Sequence, residues 1–347
     1  MSKIITGLAS FGMSGKVFHA PLLDYHPQFS MKKIVERSKN EASSIYPYIT
    51  PVKSFDELLG DHEIELVIVN TPDNTHFELA SKALEAGKHV IIEKPFTQTV
   101  EQGEALINLA IKKNLYISVF QNRRWDNDFL TVKEVIRQGL LGRLVEFESH
   151  FDRYRNFIQP GTWKEDASTG TGTLFNLGSH MIDQALCLFG MPEGIHADVR
   201  ILRTNGNVDD SYDLKLYYPS VKVTLKGSYL VREAGPRYTL HGTLGSFLKY
   251  GIDPQEEALK AGKTLDDPNW GKDEESKWGL LNSEINGLHY NGRIETVPGN
   301  YLAFYDSIYK TIRHSAPLEV KAEEALNNIK LINAALLSNK NKKAVFL

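Results

Sequence analysis

The sequence lacks the features that would place it in several large classes of protein. It has one cysteine, Cys187, in 347 residues, so no intramolecular disulfide can form, which fits a reducing compartment. Its longest apolar runs, such as "ELVIV" and "HVII", fall far short of the roughly 18 residues a membrane span needs. The opening "MSKIITGLASFG" has no basic segment followed by an apolar stretch and a small-residue cleavage site, so a cytoplasmic protein is expected. A formal charge of −3 without blocks of like charge gives no electrostatic footprint for nucleic acid. A small-molecule partner is the expectation, with neither membrane nor nucleic acid involved. No internal repeat or low-complexity tract is visible.

What remains is an ordinary globular composition, 41% hydrophobic and 24% charged. At this length one hydrophobic core is not enough, and two domains are expected. In the first third, the short apolar runs "KIITGL", "MKKIVE", "ELVIVN", "KHVIIE" and "LYISVF" alternate with helical patterns. In "NTHFELASKALEAG", Phe77, Ala80 and Leu84 share a face that stops at Gly87, and "TVEQGEALINLAIKKN" does the same with Leu106, Leu109 and Ala110. That alternation predicts a doubly wound Rossmann-type parallel sheet over residues 1–121. Beyond it, "GRLVEFESHFDRYR", "SYDLKLYY", "VKVTLKGSYL" and "RYTLHGTLGSFLKYG" read as antiparallel strands, so residues 122–347 should form an α+β domain on a large open, mostly antiparallel sheet. The stretch 252–298 reads as mostly loop with short helices, and helices are expected near 301–313 and 322–338. One exposed apolar sheet face should be left over, and a homodimer or larger homo-oligomer would cover it.

The first strand runs into "SFGMSGKVF". A phosphate-binding turn wants G-x-G-x-x-G, for a tight turn, close backbone approach to a diphosphate, and close helix packing. Gly12 and Gly15 hold the second and third places, Ser14 lies between them, and Ser10 replaces the first glycine. Two glycines alone also fit a simple tight turn. Their place between a first strand and a helix points to a nucleotide. The second strand ends "IVERSKN". There Glu36 would grip the 2′-hydroxyl of NAD, whereas Arg37, Ser38 and Lys39 offer the donors a 2′-phosphate needs; NADP is favoured and NAD remains possible. Solvated loop charges are the bland reading. Lys94 stands in "HVIIEKPFT", where a buried strand emerges. Ligands of open α/β sheets bind at such carboxyl ends.

The stretch "NTPDNTHFELASKALEAGKHVIIEKP", Asn70 to Pro95, resembles the signature of the Gfo/Idh/MocA oxidoreductases, named for glucose–fructose oxidoreductase and inositol dehydrogenase. The likeness runs over essentially the whole chain. "FHAPLL", "FQNRRWDNDFLT", "ESHFDRYR" and "LHGTLGSFLKYGIDPQEE" are most similar to its NADP-dependent scyllo-inositol dehydrogenase branch. The resemblance implies a bound NAD(P) whose nicotinamide lies between the two domains. Thr71, Pro72, Asn74 and His76 would line the cofactor, and Glu93, Lys94 and Pro95 would stand beside the nicotinamide. His76 is not taken as the acid–base group. Pro95 would make a rigid or cis turn.

In "GTGTLFNLGSHMIDQALCLFG", Asn176, His180 and Gln184 share one helical stripe. By itself His180 would be read as a packing partner. The resemblance makes it the catalytic histidine, with Asn176 in the place of the family's aspartate. Asparagine keeps the hydrogen bonds and loses the charge. Asp183 could substitute in part, although its position suggests packing. The expected activity is hydride transfer between NADP(H) and a secondary alcohol or ketone of a polyol or sugar-like substrate, an inositol-type dehydrogenase. His180 would move the proton, Lys94 polarise the oxygen and Asn176 orient the substrate. Arg123, Arg124, Tyr154 and Trp163 are candidate substrate neighbours, and no metal is expected. The alternatives are a biliverdin reductase-like or dihydrodiol dehydrogenase-like enzyme, or an NADP(H)-binding sensor that the loss of the aspartate charge has left weakly active.

Overall fold

The computed structural model describes residues 2–162, 165–167 and 170–347. The chain packs into two units. The first contains the chain up to Asn122 together with Gln255–Trp270 and Tyr301–Leu326, and the second contains Arg123–Pro254, Gly271–Asn300 and Asn327–Leu347. Packing therefore groups the chain differently from a single cut at residue 121. Among the described residues no helix is long and apolar enough to cross a membrane.

The first unit is built on β1 (Ile4–Leu8), α1 (Ala20–Tyr25), β2 (Phe29–Val35), α2 (Glu41–Ile45), β3 (Thr50–Val52), α3 (Phe55–Leu59), β4 (Leu66–Val69), α4 (His76–Glu85), β5 (His89–Ile92), α5 (Val100–Lys113) and β6 (Ile117–Val119). Its strands lie in the order β3-β2-β1-β4-β5-β6, all parallel. Every residue of β4 is buried, as expected of a strand covered on both faces. α4 buries Ala80, Ala83 and Leu84, and Gly87 follows it at φ +75°. α5 starts on a Thr99 cap, whose side chain accepts from the Gln102 N–H. It lies so close to its neighbours that a Cβ on Gly103 would come within 2.6 Å of Leu326 Cδ1. Strand order reverses between β1 and β4, so the carboxyl ends of those two strands form the topological switch point.

The second unit holds α6 (Asn127–Arg137), β7 (Leu144–His150), α7 (Ser179–Phe189), β8 (Gly194–Arg200), β9 (Ser211–Tyr217), β10 (Lys222–Ser228), β11 (Tyr238–Gly242) and β12 (Gly245–Lys249). α8 (Gln255–Lys260) belongs to the first unit, β13 (Gly279–Ile285) and β14 (Leu288–Ile294) to the second. α9 (Leu302–His314) is again in the first unit, and α10 (Ala322–Asn341) and β15 (Val345–Phe346) close the chain. The nine strands run β14-β13-β12-β11-β7-β10-β9-β8-β15, antiparallel except for the β7–β10 pair. Phe147, Val223, Leu225, Leu214, Leu240 and Phe247 on one face join Phe129, Met181, Ile182 and Leu331 in a single core.

Two expectations are corrected here. The stretch 252–298 contains, besides loop and short helices, the β13–β14 hairpin, which was not expected. Its turn is Asn286-Gly287, at φ 51° and 79°, the pair that a two-residue hairpin with both central residues at positive φ requires. The outer face of the large sheet is also not bare apolar surface. It carries Glu146 paired with Lys222 at 2.7 Å, Lys226 bonded to Glu148 at 3.2 Å, and Lys215 cross-strand from Thr224.

Lys249, on β12, is fully buried and donates to Asp273 Oδ2 at 2.7 Å and to the carbonyls of Tyr250 and Lys277. Removing one partner of such a pair strands the other charge in low dielectric. Lys249→Met is expected to cost about 3–5 kcal/mol in urea unfolding of the second unit, by the usual magnitude for a broken buried pair. A change below about 1 kcal/mol, the ordinary value for an exposed pair, would show that the pair is solvated.

Candidate functional site

At the carboxyl end of β1 the chain turns through Ser10 to Ser14 into a helical run that opens with a π turn over Gly15–His19. Such insertions are often found at functional sites. Ser10 and Asn70 hold the turn to the end of β4. Asn70 Oδ1 accepts from the Ser10 N–H at 2.9 Å, Asn70 Nδ2 donates to the Ser10 carbonyl at 2.9 Å, and Ser10 Oγ donates to the Asn70 carbonyl at 2.7 Å. Ser10 is not among the positive-φ residues, so a serine can stand where the motif has glycine. Ser14 Oγ also reaches the Asn70 carbonyl, at 3.4 Å. A Cβ on Gly15 would lie 2.7 Å from the Ser10 carbonyl oxygen and 2.9 Å from Asn70 Nδ2, so nothing but glycine fits. A Cβ on Gly12 would meet only Ser10 Oγ, at 3.8 Å. That open side, next to the start of a helical run, fits a dinucleotide diphosphate.

At the end of β2 the structure corrects the reading of Glu36. Its carboxylate is buried, and its two oxygens accept the N–H groups of Glu41 and Ala42 at 2.9 and 3.0 Å, capping α2. It holds the loop rather than reaching for a ribose. Lys53 Nζ braces the same loop through the carbonyls of Glu36 and Lys39 and the Asn40 side chain. Arg37 and Ser38 are exposed on this braced loop. Lys39 is paired with Glu41.

Beyond β4, Thr71 Oγ1 bonds Thr75 Oγ1 at 2.6 Å, Pro72 accepts at its carbonyl from Thr75 Oγ1, and Asn74 is exposed. His76 is buried, with Nδ1 2.9 Å from the Pro95 carbonyl and Nε2 3.0 Å from the Thr71 carbonyl. It braces the loops after β4 and β5. The Lys94–Pro95 peptide is cis. Glu93 Oε1 lies 2.9 Å from His19 Nε2, while His19 Nδ1 lies 2.6 Å from the Tyr305 hydroxyl and Glu93 Oε2 accepts the Lys94 N–H at 3.2 Å. Burial opposes the charge on Glu93. The His19 hydrogen bond and the positive fields of His19, Lys94 and His76 outweigh it and hold the carboxyl below its ordinary value. The parallel sheet thus brings Gly12, Ser14, Gly15, Arg37, Ser38, Thr71, Glu93 and Lys94 to one edge.

In the second unit, His180 is buried in the first turns of α7, and Asn176 is half-buried in a π turn over Leu174–Gly178. Asp209 anchors this helical run by accepting the Leu174 N–H at 2.7 Å and Thr173 Oγ1 at 2.9 Å. Burial nevertheless pushes the Asp209 carboxyl up. Gln184 donates to the Arg123 carbonyl and accepts from Tyr238 and Arg237. Asp183 does not stand in for the missing aspartate, because it holds Arg124 through two bonds of 2.8 and 2.7 Å. Arg124 is therefore committed to a buried pair rather than to substrate. Arg123 is buried as well, bonded to Asp126 at 3.1 Å and stacked 5.2 Å over Phe151. Tyr154 is exposed, with Arg232 stacked 4.2 Å above its ring, and Trp163 lies outside the described residues.

His19, Tyr305, Lys53 and Asp209 were not singled out as site residues. His19 falls in "FHAPLL", directly after the phosphate turn, and that was its only signal. Tyr305 is 286 residues further along the chain, beyond the reach of any local pattern. Arg124→Ala should leave Asp183 buried and unpaired, at a cost of about 3–5 kcal/mol in unfolding free energy, with cofactor affinity of the folded protein unchanged. Intact stability with a raised KM would instead make Arg124 a substrate ligand.

Two family patterns match the chain. The oxidoreductase family's NAD-binding Rossmann fold matches residues 4–121, and the C-terminal alpha/beta domain of the same family matches residues 133–347. The chain is 42% identical to scyllo-inositol 2-dehydrogenase (NADP(+)) IolW of Bacillus subtilis, over 99% of this chain and 96% of that one. It is 38% identical to the uncharacterized oxidoreductase YdgJ of Escherichia coli, over 99% of both. A crystal structure of a Bacteroides fragilis protein superposes at a TM-score of 0.93, with 54% identity and full coverage of both chains. With these matches over nearly the whole chain, this chain is an oxidoreductase of the Gfo/Idh/MocA family.

Proposed function

We propose that this oxidoreductase moves hydride between NADP(H) and a secondary alcohol or ketone of a polyol, of the inositol type. The observation that carries the cofactor half is the loop after β2. Glu36, the residue that argued for NAD, is engaged by α2, while Arg37 and Ser38 make no hydrogen bond or ion pair among the described residues. A guanidinium and a hydroxyl on a loop braced by Glu36 and Lys53 suit a 2′-phosphate. The name of the Bacillus subtilis relative, with its NADP(+), supports the same reading for both cofactor and substrate.

Bound nicotinamide supplies or accepts the hydride. In the proposed roles His180 takes the hydroxyl proton during oxidation and returns it during reduction, since imidazole exchanges a proton near neutral pH. Lys94 would hold a substrate oxygen and stabilise negative charge that develops on it. Glu93, kept ionised by His19, maintains a negative field beside that ammonium. Asn176 orients a substrate hydroxyl. Because asparagine carries no charge, a cofactor-binding sensor without turnover is the second reading, and it predicts no polyol oxidation at all.

The test is a screen of inositols and aldoses with both cofactors, followed at the nicotinamide absorbance. His180→Ala should lower turnover about 100- to 10,000-fold, the range of general acid–base catalysis, while NADPH still binds. Turnover within tenfold of the parent would remove His180 from the mechanism. Arg37→Ala should weaken NADP(H) binding by about 1–3 kcal/mol, the scale of a charge-assisted contact, and leave NAD(H) unaffected. Equal loss for both would refute the 2′-phosphate assignment.

A further inference from the structure

We propose that Glu41 competes internally for the cations that would meet the 2′-phosphate, and so sets the margin by which NADP(H) is preferred over NAD(H). The inference rests on the cofactor reading above. Glu41 is the first residue of α2, and its two carboxylate oxygens face two lysines that come from different parts of the site. Oε2 is bonded by Lys16 Nζ, from the helical run that follows the phosphate turn. Oε1 pairs at 2.9 Å with Lys39 Nζ, from the loop after β2. The clasp therefore joins the helical run after the phosphate turn to the loop after β2, the two segments to which the cofactor reading above assigns the diphosphate and the 2′-phosphate. Lys16 also stands 5.5 Å over the ring of Phe11, which meets Tyr46 edge-on at 6.4 Å, so the clasp borders an aromatic wall.

Three observations separate this carboxylate from a merely structural one. The start of α2 is already capped by Glu36, so the helix does not need the Glu41 side chain. Lys53 braces the loop from the other side, so the loop does not need it either. Both lysines and the glutamate are partly exposed, at 38%, 70% and 39%, so an incoming anion can reach them. The two ammonium groups hold the Glu41 carboxyl below its ordinary value, as expected of an anion flanked by two cations.

The consequence differs between the two cofactors. A phosphomonoester brings up to two negative charges. It would draw Lys16 and Lys39 away from Glu41 and would also be repelled by that carboxylate. A bare 2′-hydroxyl has no such effect and leaves the clasp closed. Glu41 therefore taxes NADP(H) selectively, which narrows the preference that Arg37 and Ser38 create. Because exposed ion pairs are weak and screened, the expected effect is moderate.

The experiment measures dissociation constants of NADPH and NADH by fluorescence titration, for the parent and for Glu41→Gln, at low and high salt. Glu41→Gln should bind NADPH about two- to fivefold more tightly at low salt, the scale of exposed charge pairs, with NADH unchanged within error and the difference shrinking as salt rises. Glu41→Ala, with a shorter uncharged side chain, should move in the same direction, which guards against an effect of the amide. Weaker NADPH binding in both variants would mean that Glu41 aligns the lysines for the phosphate, and would overturn the proposal. So would an unchanged ratio between the cofactors. If the parent prefers NADH, the Arg37 reading fails while a selective NADPH gain in Glu41→Gln still upholds the role of Glu41; if it binds neither cofactor, both fail.

Discussion

The constraint on which the cofactor side depends is the reciprocal bonding of Asn70 and Ser10 across the switch point of the parallel sheet. It ties the ends of β1 and β4 together with three hydrogen bonds and gives both the oxygen and the nitrogen of the buried Asn70 side-chain amide a partner. The following helix then has to pass close by, which excludes any side chain at Gly15. It also leaves Gly12 facing open space, where a diphosphate can approach the backbone. One asparagine thus sets the height of the turn, the start of the helix and the room left for a ligand.

Carboxylates account for much of the remaining order, in roles that face inward. Glu36 caps α2, Asp183 holds Arg124, Asp209 starts the helical run that carries Asn176 and His180, and Asp273 neutralises Lys249. In each case a buried or half-buried anion finds N–H donors or a cation, because the alternative is an uncompensated charge in low dielectric. Glu93 belongs to the same group but stands next to Lys94. His19 and Tyr305 fix its position, and the positive groups around it keep it ionised. Its charge is thereby placed beside the residue proposed to polarise the substrate oxygen. On the loop after β2 the same logic runs the other way, since Arg37 and Ser38 are left to solvent while the acid that precedes them is engaged internally.

The sequence by itself determined the fold class, the parallel sheet, and most strands of the second sheet. Those rest on local periodicity, which burial on one face or both imposes on any strand or helix. It also placed Gly12, Gly15 and Lys94 at strand ends, and the long motif from Asn70 to Pro95 named the family. The β13–β14 hairpin was legible too, through Asn286-Gly287, but the charge-rich surroundings hid it. What only the tertiary structure decided is which polar groups face a ligand and which face the protein. Glu36, Arg124 and Asp183 have the composition of site residues, and their partners lie 5 to 59 positions away. The Arg124–Asp183 pair depends on how elements pack, and no local window contains it; the partners of Glu36 are near in sequence, but only the fold of the loop turns its carboxylate onto α2. The segment Tyr301–Leu326 joins the first unit for the same reason. The apolar faces of its helices show that they are buried, and tertiary packing alone selects the sheet that buries them.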